Sequence, residues 1–333
     1  MRRIRNYVVI PLLSLWWMHA STGDPAPAPQ HGWGSVAIAE TDEIKAGEST
    51  IEVEFAEGAL DLPRDVFLAH IKAAVSAVAT YYGRFPVARA CVLVIPVAGR
   101  RGILQGTTWG DMRGCAGFTR MRIGERTTQE DLTDDWMMTH ELVHMAFASM
   151  PDDQHWIEEG LATYVEPIAR VMTGELTAEK IWSDMARDMG QGEPEAGDEG
   201  LDRTHTWGRT YWGGALFCLV ADVEIRRETK NSKGLQDALR AIVDHGGTID
   251  HDWELPRALT IGDEATGTQV LSRMYAEWKD KPVTVDLPAL WSELGVRATA
   301  QGMELVKDAP DAKIREAITK PIGPVVGATI VKH

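Results

Sequence analysis

Apolar positions along the chain follow two periods. From Thr50 to Ala56 they alternate with polar ones, with Ile51, Val53 and Phe55 on one side, and this predicts a half-buried strand. After Pro63, the residues Val66, Phe67, His70, Ile71, Ala74, Val75, Val78, Tyr81 and Tyr82 recur at helical spacing. They predict a helix over 64–83, closed by Gly83. Residues 89–97 form a continuous apolar run suited to a buried strand. Residues 98–114 are glycine-rich and read as a loop, and residues 117–123 read as a weakly alternating strand. Thr128 and Asp131 then make a capping pair. It opens a helix predicted to reach about Ser149, where Pro151 stops it. A second helix is predicted from Asp152–Asp153 through Glu166, ending before Pro167. Beyond residue 170 the pattern is almost wholly helical, over about 177–189, 208–228, 234–244, 264–279 and 288–294. The acidic, glycine-rich residues 190–206 read as a loop. The expected fold class is α+β, a small mixed sheet with helices followed by a mainly helical C-terminal lobe.

The first twenty residues break this pattern. Arg2, Arg3 and Arg5 precede an uncharged, mostly apolar stretch from Tyr7 to Trp17, and Ala20 offers a small residue for cleavage. Eleven helical residues rise about 16 Å, roughly half a bilayer core, so the stretch is too short to span a membrane. We expect residues 1–20 to be a secretory signal and residues 21–32, rich in proline and glycine, to be a linker. Residues 33–170 are expected to form an α/β lobe and residues 171–333 a helical lobe. The location expected is periplasmic or secreted, with no stable membrane span after cleavage. Removing the signal, which carries three arginines and no acid, takes the formal charge from −15 to −18. A surface so acidic, with no basic stripe, argues against nucleic acid as a partner. Three cysteines, Cys91, Cys115 and Cys218, leave at least one thiol unpaired, and no two have the spacing of a metal pair.

His140-Glu141-Leu142-Val143-His144 carries the chemistry. Residues four apart share a helix face, so both imidazoles can reach one metal ion. Glu141 lies about 100° further round the axis, out of ligand position but within reach of a water at the metal, where a general base is required. Trp136, Met137, Met138, Leu142, Val143, Met145 and Phe147 make this segment apolar on nearly every side, which predicts burial. Two histidines and a glutamate in a buried helix are costly unless a metal or other partners satisfy them. A pair of core histidines satisfied by backbone or carboxylate is the alternative reading of the same pattern. A catalytic zinc site needs a third protein ligand. Glu158, Glu159, Glu166 and His155 all follow within reach, and solvated helix surface is the ordinary expectation for Glu158 and Glu166.

The stretch Trp156-Ile157-Glu158-Glu159-Gly160-Leu161-Ala162-Thr163-Tyr164 resembles the second helix of gluzincin metallopeptidases, as found in the aminopeptidase N and glycyl aminopeptidase families. The resemblance implies a thermolysin-like catalytic lobe and assigns the third ligand to Glu159, with Gly160 letting helices approach closely. Fourteen residues separate His144 from Glu159. That is fewer than in aminopeptidase N, and the chain is closer to the compact peptidase MA-like group. Thr210-Tyr211-Trp212-Gly213-Gly214-Ala215 opens an apolar helix similar to one in the glycyl aminopeptidase family. There a tyrosine at the position of Tyr211 donates a hydrogen bond to the oxyanion, a role the chemistry requires opposite the metal. Aminopeptidase N enzymes also carry a Gly-x-Met-Glu-Asn strand whose glutamate binds the substrate amine. The corresponding stretch here, taken as Arg113–Thr119, holds no acid.

The expectation is thus an exported zinc metallopeptidase holding one Zn2+ per chain on His140, His144 and Glu159, with Glu141 as general base and Tyr211 as oxyanion donor. Its substrate is expected to be a peptide or protein cleaved internally. Two alternatives remain open: an aminopeptidase of the same chemistry, and a non-catalytic peptide-binding protein on a peptidase scaffold.

Overall fold

The structure is a computed structural model that describes residues 36–299 and 302–331. The expected signal and linker lie outside the described residues. Six strands form a mixed sheet: β1 (Ile38–Ala46), β2 (Ser49–Ala56), β3 (Arg89–Val97), β4 (Ile103–Met112), β5 (Cys115–Gly124) and, from far along the chain, β8 (Ala328–Val331). Their order is β4-β5-β3-β2-β1-β8. β2, β3 and β5 run parallel, and the remaining pairs are antiparallel. The apolar run of β3 is explained by its place, with strands on both edges and Val92 and Val94 fully buried. Helix α1 (Arg64–Tyr82) crosses from β2 to the parallel β3 and ends on Gly83, whose φ of 82° is left-handed.

Several sequence expectations need correction. The supposed loop at 98–114 contains β4, an edge strand paired antiparallel with β5 and free to carry glycines because they lie against other elements. The helix expected over 128–149 is broken. Its pieces are α2 (Gln129–Thr133), α3 (Met137–Val143) and a single 3-10 turn (His144–Ala146). The break has a cause: the Asp135 carboxylate accepts hydrogen bonds from the backbone N–H of Met137 and Met138, and His70 Nε2 lies 2.8 Å from its Oδ2. The carboxylate thus takes up the first two N–H groups of a new helix, which have no partner within it. Conversely, α4 (His155–Thr173) does not stop at Pro167 but runs through it to Gly174, preceded by a 3-10 turn (Asp152–Gln154).

After α5 (Ala178–Asp188) comes a 3-10 turn (Met189–Gly192), and then a wide π turn (Gly208–Gly213) leads into α6 (Gly214–Glu228). α7 (Leu235–Asp244) agrees with its periodicity. The helix expected at 264–279 is two, α8 (Leu255–Thr266) and α9 (Val270–Trp278), parted by the left-handed Gly267. α10 (Leu287–Leu294) precedes a hairpin of β6 (Val296–Thr299) and β7 (Gly302–Leu305), and α11 (Ala312–Ile318) follows. The C-terminal half is therefore less uniformly helical than its pattern, and its β8 pairs with β1 in the main sheet. One large apolar core joins the sheet, α1, α3, α4 and α6.

Candidate metal centre

Every residue of α3 is buried, as its all-round apolar composition requires. His140 sits in its last turn, and His144 begins the 3-10 turn that continues it. α4 packs alongside and brings Glu159 to them. Glu159 Oε2 is 3.1 Å from His140 Nε2 and 3.6 Å from His144 Nε2. One ligand atom from each of His140, His144 and Glu159 lies within 4.8 Å of the others, and all three side chains are at most 2% exposed. Two imidazoles and a carboxylate converging in a dry interior are the donor set of a catalytic zinc site. The charges in the cluster centre on the Glu159 carboxylate: burial disfavours charge on His140, but its bond to Glu159 outweighs this and raises its pKa, so a cation is favoured here. Burial pushes the His144 pKa down to about 3, keeping it in the neutral form that offers a lone pair. Burial opposes charge on Glu159, but the surrounding histidines more than reverse this and hold it ionised.

Glu141 is fully buried beside this cluster. The Thr108 hydroxyl of β4 lies 2.7 Å from its Oε2 and 3.0 Å from its backbone carbonyl, while Oε1 has no hydrogen-bond partner among the described residues. Desolvation raises the Glu141 pKa to about 8, against the lowering influences of His140 and Thr108. Gly106 lies directly over it, where an added Cβ would be 2.5 Å from Glu141 Cγ. The sheet edge beside the base is therefore β4, not the 113–119 stretch. Residues 113–114 form a turn, and β5 lies inside the sheet. The β4 residues Gln105–Gly110 contain no carboxylate either.

Tyr211 is carried by the π turn, and its ring stands 6.3 Å from that of His140. Burial raises its phenol pKa, and so do the nearby carboxylates of Glu159 and Glu141, including a hydrogen bond with Glu159. The phenol is thus kept protonated as a donor. Gly160 does permit a close approach, but to α6 and not to the His140–His144 helix beside which its narrow side was expected to lie. Its missing Cβ would lie 2.3 Å from the Gly214 backbone at the start of α6, so the narrow side of α4 faces the Tyr211 segment.

The structure also corrects the other acids. Glu158 and Glu166 are buried, not solvated. Glu158 accepts from the Met150 N–H at 3.1 Å and lies 3.0 Å from His155 Nδ1; Glu166 pairs with Arg170 at 2.8 Å. His155 is not one of the three converging groups. It faces the other oxygen of Glu159, Oε1, at 3.3 Å from its Nε2. Burial disfavours charge on His155, but Glu158 and Glu159 outweigh it and push its pKa up to about 10. It lies against Glu159 on the side away from His140 and His144, where it would fix the orientation of the carboxylate were a metal held there. Thr108, Gly106 and this supporting role were not visible in the sequence, because each depends on which strand or helix turn lies opposite.

No family model matches the chain, and no curated protein matches it. Solved structures do. The chain is similar to the aminopeptidase N family protein from Idiomarina loihiensis, with a TM-score of 0.58 at 12% identity over 81% of this chain and 53% of that one. It also aligns with the M1 zinc metallopeptidase from Deinococcus radiodurans at 17% identity and a TM-score of 0.47, covering 76% and 52% of the two chains. The chain spans about half the length of these structures. The likeness is one of fold, shared with the aminopeptidase N family protein.

Proposed function

We propose that this chain is a zinc-dependent hydrolase of peptide bonds. The observation that carries the reading is the buried convergence of His140, His144 and Glu159 beside the half-satisfied carboxylate of Glu141, within a fold shared with the aminopeptidase N family protein. His140, His144 and Glu159 would hold one zinc ion per chain, between α3 and α4. When bound, zinc supplies Lewis acidity to water and to the carbonyl under attack. Glu141 takes the proton of the attacking water on its unpartnered Oε1, while Thr108 fixes the other oxygen. Burial strengthens the carboxylate as a proton acceptor, a cation held on His140, His144 and Glu159 would keep it ionised, and it then passes the proton to the leaving amine. The protonated Tyr211 donates a hydrogen bond to the carbonyl oxygen as negative charge develops there.

Internal cleavage is favoured over aminopeptidase action because neither the 113–119 turn and strand nor Gln105–Gly110 of β4 offers a carboxylate to anchor a free amine, and the acid of β4, Asp111, is exposed beyond them, five residues along the strand from the Gly106 that faces Glu141. Export is part of the same proposal. Besides the N-terminal pattern, it is supported by a Cys91–Cys115 disulfide between β3 and β5, a bond favoured in oxidising compartments. Among the described residues no helix is long and apolar enough to cross a membrane.

The test combines metal analysis with a fluorogenic peptide assay. Purified wild-type protein should take up about one zinc per chain and cleave amino-acetylated peptides. His140→Ala, His144→Ala and Glu159→Ala should lose the metal. Glu141→Gln should keep it and lose nearly all turnover. A wild-type preparation that takes up no zinc after reconstitution would sink the reading.

A further inference from the structure

Beside the metal ligands a cavity of about 470 Å³ opens between α4, α5 and the π turn, with His140 and Tyr211 in its wall. A row of rings runs along it. Trp136 packs edge-on against His140 at 5.2 Å, His140 stacks on Tyr211 at 6.3 Å, and Tyr211 stacks on Trp207 at 5.7 Å. The two outer members are unusual: Trp136 is 40% and Trp207 42% exposed, among the few large apolar side chains left open to solvent in the described residues. Indole surface is costly to expose and is common where a partner covers it. Deeper in, Ile181, Met185 and Met189 from α5 and the turn after it line an apolar floor.

The charges of this cavity are largely spent on one another. Glu166 pairs with Arg170, Lys180 with Asp184, and Arg187 with Asp184 and Asp188. Asp134 remains on the exposed rim. No buried charge is left over to compensate an ionised guest, and burying one without such a partner is expensive. An uncharged apolar guest meets no such penalty. Because His140 and Tyr211 belong to both the cavity and the reaction centre, the guest belongs to whatever is bound at that centre.

We propose that this cavity receives a bulky uncharged side chain, aromatic or long aliphatic, from the substrate residue next to the cleaved bond, with Trp136 and Trp207 as its outer walls. The proposal rests on the peptidase reading for the identity of the guest as part of a peptide. It makes the chain a hydrolase selective for hydrophobic peptide segments.

Two measurements on the zinc-loaded full chain test it, using peptides acetyl-Ala-Ala-X-Ala-Ala-amide with X as Phe, Leu, Ala, Lys or Glu. The first is calorimetric binding to the Glu141→Gln protein. The Phe and Leu peptides should bind roughly ten- to a hundredfold tighter than the others, the range expected for burying a large apolar side chain. The second is cleavage by the wild type, with products mapped by mass spectrometry, and Phe or Leu should flank the cut bond. Trp207→Ala should reduce the Phe-to-Ala ratio at least fivefold. Thr163→Trp, which fills the cavity from α4, should abolish the ratio, with circular dichroism verifying that both variants fold. Equal binding of all five peptides, a preference for Lys or Glu, or a preferred residue distant from the cut overturns the pocket. A clear binding preference with no cleavage by wild type overturns the peptidase reading and leaves the pocket standing.

Discussion

Gly106 and Thr108 show how much of the centre depends on single residues that carry no chemistry themselves. Thr108 clamps one oxygen of Glu141, and Gly106 leaves the space that the Glu141 side chain occupies. In Gly106→Ala the new methyl would lie 2.5 Å from Glu141 Cγ and 2.7 Å from Oε1, both impossible contacts. The carboxylate has to move, and displacing a catalytic group by about 1 Å costs roughly a hundredfold in rate. Turnover should therefore fall at least that far while zinc content, measured by mass spectrometry, stays near one per chain. Thr108→Val keeps the side chain's shape and removes the hydroxyl that holds Glu141 Oε2, along with its contacts to Thr119 and the Glu141 carbonyl, so a loss of at least about tenfold is expected in the same assay, about the worth of one hydrogen bond to a charged group. Normal turnover in Gly106→Ala would show that Glu141 is not the base.

At the scale of elements, the centre is assembled at two crossings. α3 starts where it does because the Asp135 carboxylate takes up its first two N–H groups, and this break, with the 3-10 turn at His144, sets the direction in which the two imidazoles point. α4 meets α6 where Gly160 faces Gly214, and a Cβ on Gly214 would lie 2.2 Å from the Trp156 carbonyl oxygen. This contact holds the π turn, and so Tyr211, against α4. A π turn inside a helix is itself a feature often found at functional sites. Gly214→Ala should force α6 away, costing about 1–3 kcal/mol as other overpacked contacts do. The expected result is a melting temperature lower by several degrees, with turnover reduced further than zinc affinity because His140 and His144 on α3 and its 3-10 turn, and Glu159 on α4, are left in place. Zinc loss in step with the fall in turnover would place the damage at the ligands.

For the whole molecule, metal and cross-link should both register in stability. Zinc binding to the folded state alone adds about 2.7 kcal/mol at a hundred times its dissociation constant. Chelated protein should melt lower, and zinc should restore the transition in wild type but not in His144→Ala, as calorimetry would reveal. The Cys91–Cys115 disulfide closes a loop with a sequence separation of 24 residues. Replacing both cysteines by alanine should cost about 3 kcal/mol in denaturant unfolding, most of it through the entropy of the unfolded chain. The sequence alone determined whatever is local. β2 and α7 followed from periodicity, because each buries one regular face, α1 from its helical spacing and β3 from its continuous apolar run, and the His140–His144 spacing is a property of one continuous helical run. Glu159 and Tyr211 were legible only through resemblance to gluzincins. Tertiary structure decided what depends on opposing surfaces. β4 looked like a loop because its glycines answer to Glu141 and to the Ile249 carbonyl rather than to strand propensity. Glu158 and Glu166 looked like surface because their partners, Met150 and His155 for one and Arg170 for the other, become partners only when α4 is buried. The burial that raises Glu141 and the two exposed tryptophans beside His140 and Tyr211 arise in the same way. Desolvation and close contact belong to surfaces brought together by folding, and a linear pattern records only one of the two surfaces at a time.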